Sequence, residues 1–387
     1  MFNFISLFGE KNVRNSFLVI LFALSFNINA QINVIKNGGS ISKNEQQALD
    51  LFKSYMQIVN DRNKGQKFWN TDKKFESYDF LFSEGFWNPN LYAYISQANV
   101  LSVSDIGEES KLIKVLMSPS DKTENIYAIV NYVFKNNKLS NYTDFYTEKW
   151  MKRTVGNIEY YFPSDYSFNL AKAKQANVFI NKLENIFKFN NHNKLHYYIA
   201  KNCKEVRTVQ GFDYVLGEGQ SNHCAFFDSQ NKIIYTTAFS GENHKHELIH
   251  LINTKYPNAH YWLTSGFSVY SNSDNVHIGK PLTWHCQKIS DFIKEHPDFN
   301  FLDEEKEIKL EGTSVDYFVG AALIHQFLQQ HTTKDLDMIM ERSSDKGFFE
   351  RNYYLFGASS STDLNNKIKV TIKELSNPNT KLMLNLN

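Results

Sequence analysis

Cysteine is scarce in this sequence. Cys203, Cys224 and Cys286 are all it has, and no two of them form a C-x-x-C pair, which argues against a thiolate-based zinc site. Two of the three can pair if the chain is exported. Cys203 and Cys224 are the nearer pair in sequence, but spacing alone leaves the pairing open. An excess of charge of one sign is also lacking. The 42 Lys and Arg stand against 41 Asp and Glu, so nothing in the balance points to nucleic acid or an anionic surface. Proline and glycine do not cluster, so no linker marks a domain boundary. There is no internal repeat and no low-complexity segment. After the first 30 residues no run is long and apolar enough to span a membrane.

What is present begins with a leader. Lys11 and Arg14 precede a short apolar run over residues 16–26, SFLVILFALSF. Ala30 then offers a small residue at a cleavage point before Gln31. The run reads as a signal peptide over residues 1–30, with an uncleaved anchor as the alternative. No cysteine follows it, which disfavours a lipoprotein anchor. The expected destination is the periplasm or the extracellular medium. Export followed by cleavage leaves a protein that is not integral to the membrane.

The rest is long enough for two domains, each with its own core. Residues 44–60 read as an amphipathic helix, with Leu49, Phe52, Tyr55 and Met56 near helical spacing. Strand-like runs follow at residues 111–117 and 126–134, and β character continues over residues 138–150. A leading helix followed by antiparallel strands predicts a small α+β domain over residues 31–155. The pattern changes near residue 156. Strands are expected at residues 158–162, 195–200 and 232–237, a long helix at residues 169–188 and another at residues 243–256. Largely helical sequence then runs to about residue 376. A small sheet followed by helices is again an α+β arrangement, covering residues 156–387.

The chemistry-bearing motif is H-E-x-x-H: His246, Glu247 and His250 within HKHELIH. Residues four apart lie one above the other on a helix, so both imidazoles can reach one Zn²⁺. Glu247 can take a proton from a water on that ion. Asn243 can cap the helix. Leu248, Ile249, Leu251 and Ile252 supply an apolar side to hold it. The bland alternative is a helix that happens to carry two histidines. His192, His196, His223, His285, His325 and His331 read as ordinary surface or core residues.

A second stretch, Tyr261-Trp262-Leu263-Thr264-Ser265-Gly266-Phe267-Ser268-Val269-Tyr270, follows. It resembles the second helix of gluzincin zinc metallopeptidases, which reads W-L-x-E-G-x-A-x-Y in a large set of exported bacterial members. Trp262, Leu263, Gly266 and Tyr270 match, and Ser268 replaces the small Ala. A third stretch, residues 317–328, resembles the downstream helix of the same group. The resemblance covers roughly residues 156–360 and is specific at residues 244–270. It implies a zincin-like C-terminal domain, a peptide or protein substrate, a Zn²⁺ cofactor and Glu247 as general base. It also implies Tyr317 as donor to the oxyanion, with a packed core aromatic as the alternative.

One departure matters. The position that holds the third zinc ligand, Glu, is Ser265 here. A serine hydroxyl is neutral and its side chain is shorter than a carboxylate's. A substitute ligand is open among His244, Glu242, His260, Asp274 and His277. Asp274, just past the second helix where a loop can fold back, is the one assigned beside His246 and His250. Without a substitute, the site holds zinc weakly or not at all, and the fold serves as an inactive peptide- or protein-binding module. Residues 232–237 are expected to pair with an extended peptide.

Overall fold

The structure, a computed structural model, describes residues 33–34, 41–71, 75–82, 97–107, 110–119, 127–189, 194–215, 224–271, 279–304, 306, 308–343 and 346–384. Residues 1–30, expected to be a leader, and the candidate ligands Asp274 and His277 lie outside the described residues. The architecture is mixed α+β, built on two large sheets with a two-stranded ribbon (Lys309–Leu310 and Thr313–Ser314) beside them.

The first sheet is formed by β1 (Asn33–Val34), β2 (Gln97–Gly107), β3 (Ser110–Ser118), β4 (Ala128–Lys135) and β5 (Lys138–Ser140), in that spatial order. Strands β2 to β5 are an antiparallel meander. In β3, Ile113, Val115 and Met117 are fully buried and the residues between them are half-buried. That is the period-two signature of a sheet packed on one face. The cover is helix α1 (Lys43–Met56), which turns Ala48, Leu49, Phe52, Tyr55 and Met56 inward. Ser42 and Glu45 close its start with a reciprocal capping box.

The chain then passes through helix α2 (Tyr142–Tyr146) into the second sheet at β6 (Met151–Val155) and β7 (Ile158–Phe162). The boundary predicted at residues 155/156 therefore falls in the turn of a hairpin whose two strands both belong to the second sheet. Helix α3 (Leu170–Phe187) crosses to β8 (Leu195–Ala200), parallel to β7. After helix α4 (Cys203–Val209) the chain returns to the first sheet for one strand, β9 (Phe212–Val215), paired with β4. It comes back with β10 (Ala225–Asp228) and β11 (Ile233–Thr237). The second sheet runs β10-β11-β8-β7-β6, with β7, β8 and β11 parallel and an antiparallel strand at each edge. Cys203 and Cys224 are joined by a disulfide, which ties the start of α4 to the residue before β10. Cys286 is a buried free thiol.

The second sheet is covered on both faces. Phe179, Ile180, Leu183 and Phe187 of α3 share one core with Ile158, Leu195, Tyr197 and Ile234. On the other face Phe75 and Phe80, from the first unit, pack with Tyr161, Tyr198 and Tyr235. Every residue of β8 and of β11 is buried as a result. This is why LHYYIA and IIYTT read as runs and not as alternations.

Helices α5 (Lys245–Ile249), α6 (Tyr261–Ser271), α7 (Leu282–Glu295), α8 (Val315–Gln330) and α9 (Ser361–Leu375) complete the second unit around the same core. Helices α6 and α8 touch backbone to backbone. A Cβ on Gly266 would fall 2.2 Å from the Gly320 carbonyl carbon, and one on Gly320 would fall 1.8 Å from the Trp262 carbonyl oxygen. Only glycine permits this approach.

Three local expectations are corrected. Residues 138–150 are not continuous β structure, since strand β5 gives way to α2. The aromatic residues Tyr142, Phe145 and Tyr146 recur at helical spacing and pack on one another, so period outweighs β propensity. The predicted helix at residues 243–256 is regular only over Lys245–Ile249 and continues as a 3₁₀ turn, His250–Thr254. Ile249, Ile252 and Thr254 are β-branched and weaken the α form. The Thr254 hydroxyl bonds back to the Leu251 carbonyl at 2.7 Å. Finally, β11 is not available to a peptide, because it pairs with β10 on one side and β8 on the other.

Candidate functional site

The loop from β11 to α5 sets the geometry. Tyr197, fully buried on β8, donates its hydroxyl to the Gly241 carbonyl at 2.8 Å and accepts the His244 backbone N–H at 3.1 Å. His244 is thereby the N-cap of α5, with non-helical backbone angles (φ −83°, ψ 83°). One turn later His246 and His250 bring their rings to 5.0 Å, nearly perpendicular. The 3₁₀ tightening begins at His250 and does not separate the pair.

Glu247 turns into the protein. Burial pushes its carboxyl up to about 8, and the backbone N–H of Phe227 on β10 pulls the other way. An acid of that strength is largely protonated at neutral pH, and a cation on the neighbouring imidazoles would return it to the carboxylate. His244 is shifted down to about 4, by burial and then by the charge of His250, so it is neutral at pH 7.

The opposite wall comes from α6 and α8. Their backbone contact at Gly266 and Gly320 brings Tyr317 within hydrogen-bonding reach of the Ser265 hydroxyl. The Tyr317 ring stands 6.1 Å from that of His246, nearly parallel. Burial and the Glu247 charge hold the Tyr317 hydroxyl above its ordinary range, and the Ser265 bond opposes them. Ser268, one turn after Ser265, donates to the Ser265 carbonyl at 2.6 Å. Its oxygen also lies 3.1 Å from His246 Nδ1.

The fold thus brings together His246, Glu247, His250, Ser265 and Tyr317, all named from the sequence, and adds Ser268, Tyr197 and Phe227. Ser268 was legible as the same-face neighbour of Ser265 at i+3. Nothing in the sequence marked Tyr197 or Phe227. The other candidate ligands divide. Glu242 is committed elsewhere, since its carboxylate accepts from the Tyr166 hydroxyl at 3.0 Å and from the Asn169 N–H, at the start of α3, at 2.6 Å. His260 faces Glu304 and packs on Trp262 and Phe349 at the far end of α6. His244 stands beside the pair, its ring 6.4 Å from that of His246.

The fit to zinc can be tested on these distances. Two imidazoles on one tetrahedral ion place their ring centres about 5 Å apart, which the His246–His250 pair meets. As placed, no group of three His, Cys, Asp or Glu among the described residues converges on a metal position. Two ligands fit, and a three-ligand centre is not assembled. No protein-family model matches this sequence, and no curated protein matches it.

Proposed function

We propose that this chain is an exported zinc-metallopeptidase-like protein of the gluzincin type, acting on peptides laid along the edge of the second sheet. The observation that carries this reading is the His246–His250 pair at 5.0 Å, with Glu247 turned inward and Tyr317 on the facing helix. A mixed sheet, a motif helix and a helical unit behind it are the arrangement that a zincin-like fold calls for. The β10 strand is the sheet edge nearest the motif, because Phe227 reaches Glu247. An extended peptide can pair with such an edge. Export is supported by the leader-like residues 1–30 and by the Cys203–Cys224 bridge, which suits an oxidising compartment. Among the described residues no helix is long and apolar enough to cross a membrane.

When bound, zinc supplies Lewis acidity and brings the pKa of water toward neutrality. Glu247 receives a proton from the attacking water and passes it to the leaving peptide nitrogen. Tyr317 directs its hydroxyl at the peptide oxygen as negative charge builds there. The edge strand holds the scissile bond in register between them.

A second reading is an inactive peptide-binding relative. It is favoured by Ser265, whose hydroxyl is engaged by Tyr317 where a carboxylate ligand would stand. One experiment separates the two. The purified full chain is loaded with zinc and assayed against a quenched fluorescent peptide library beside Glu247→Gln. Cleavage reduced by about 10²–10⁴-fold in the variant, the size of a lost general base, supports the enzyme. Peptide retention without cleavage in both proteins supports the binding module.

A further inference from the structure

We propose that the Cys203–Cys224 bridge is a redox latch on β10. Oxidised, it fixes this edge strand in the position that receives a peptide; reduced, it releases the end of the strand that follows Cys224. This rests on the reading that β10 is the edge that bears the peptide, and it adds a regulation of that site by thiol–disulfide exchange.

The strand is held differently at its two ends. β10 has four residues, Ala225–Asp228, and lies at the edge of its sheet, paired with β11. So short an edge has little stability of its own. At its far end the Asp228 carboxylate accepts from the Asn231 N–H at 3.0 Å and from the Asn231 side-chain amide at 2.9 Å. The Asn231 side-chain oxygen accepts the Ser77 N–H of the first unit at 2.8 Å. Asp228, Asn231 and Ser77 are all buried, so that end is fixed by bonds shielded from water.

The near end is fixed by the bridge. Cys224, the residue before the strand, is tied to Cys203, the first residue of α4. Helix α4 does not follow a moving strand. Val206 and Val209 share a core with Tyr198 and Tyr235. Asn202 caps its start, accepting the Glu205 N–H at 2.9 Å, and the Thr143 hydroxyl holds the Val209 carbonyl at 2.7 Å. With the bridge open, α4 keeps one named contact to this half of the strand, Arg207 over the Phe226 ring at 4.3 Å, and a cation–π contact is far weaker than a covalent tie. The same half carries the Phe227 N–H that reaches Glu247. Loosening it therefore disturbs both the peptide edge and the carboxylate behind it.

The bridge is placed to be opened. Cys203 and Cys224 are half-buried, while Cys286 is fully buried. The reductant is a dithiol of the C-x-x-C class. Its thiolate attacks one sulfur and breaks the S–S bond, giving a mixed disulfide and releasing the other cysteine as thiolate. Its second thiol then closes the reductant's own disulfide and releases the first cysteine. Two electrons and two protons pass to Cys203 and Cys224. An oxidising compartment favours the bridged form, so the edge becomes competent once the chain is exported.

The test is hydrogen exchange by mass spectrometry on the purified full chain. The chain is measured oxidised, treated with dithiothreitol without denaturant, and reoxidised, beside Cys203→Ser/Cys224→Ser. Thiol titration reports the state of the bridge, and retention and cleavage of the quenched fluorescent peptide library are measured on the same samples. The expected result is exchange at residues 225–227 faster by at least about 10-fold on reduction and in the double variant, the signature of a local opening. Exchange at β8, Leu195–Ala200, stays unchanged, peptide retention falls in parallel, and reoxidation reverses both in the wild type. Unchanged exchange at residues 225–227 with both thiols free overturns the latch. So does an equal rise at β8, which makes the bridge a staple of the whole fold, and so does a bridge that opens only in denaturant. An oxidised chain that neither retains nor cleaves any peptide defeats the site reading, and the exchange data still decide whether the bridge holds the edge.

Discussion

The two sheets of this protein are composed of similar residues and are used differently. The first is packed on one face by α1, and β3 alternates buried and half-buried residues. The second is covered on both faces, and β8 and β11 are buried throughout. A singly covered sheet tolerates change on its open face. A doubly covered sheet is a fixed platform. The HExxH helix is mounted on the second, through Tyr197 of β8 and Phe227 of β10. Side chains that must hold a geometry to fractions of an ångström belong on the more constrained element.

The comparison breaks most sharply at glycine. Gly320→Ala puts a methyl within 1.8 Å of the Trp262 carbonyl, so α6 and α8 must part. The expected cost is about 3 kcal/mol, the upper end for overpacking, with Tyr317 and Ser265 separated and any zinc binding weakened through the Ser268 contact to His246. Gly107→Ala in the first sheet meets nothing within 4 Å, but its φ is +97°. It should cost about 1–2 kcal/mol of backbone strain and leave zinc untouched. Urea melts beside zinc titrations measure both, and equal losses would contradict the platform argument.

Tyr197→Phe is the next largest. It strands the Gly241 carbonyl and the His244 N–H, both met by one hydroxyl. A loss of about 2 kcal/mol is expected from leaving buried groups unpaired. Zinc should bind more weakly as the α5 N-cap loosens. A variant that loses stability but keeps full zinc affinity would show that this anchor does not set the His246–His250 pair.

The smallest effect is a pH dependence away from the site. On α8, His325 Nδ1 lies 2.8 Å from the Tyr270 hydroxyl, and its other nitrogen faces Glu374 at 3.7 Å. Burial holds its pKa below the ordinary value, and Glu374 opposes that only in part. The folded form therefore binds fewer protons than the unfolded one below the ordinary histidine pKa. Stability from this group is full above about pH 6.5 and falls as the solution is acidified through the depressed folded pKa. His325→Gln should flatten the melting temperature between pH 7 and pH 5 relative to wild type. A parallel shift of the whole curve would place the acid sensitivity elsewhere.

The strands at β3, β4, β7, β8 and β11 and the helices α1 and α3 were legible to within a few residues, because each carries one uninterrupted period or run. The misreadings are equally particular. Tyr142, Phe145 and Tyr146 are residue types common in strands, set at helical spacing. At residues 250–254 the apolar stripe continues while β-branched residues tighten the helix. The sheet edge was misassigned to β11, because sequence order does not reveal that β10 lies outside it. Glu242 looked like a ligand by type, but it caps the approach to α3.

The sequence by itself determined the α+β class, the pairing of His246 with His250 and the absence of a carboxylate at Ser265. These follow from period, i+4 spacing and residue identity, all of which are local. Only the tertiary structure decided that Cys203 bonds Cys224, that α6 and α8 meet at two glycines, and that His244 stands beside the pair. Those outcomes depend on which distant segments share a surface, and that is decided by close packing around one core.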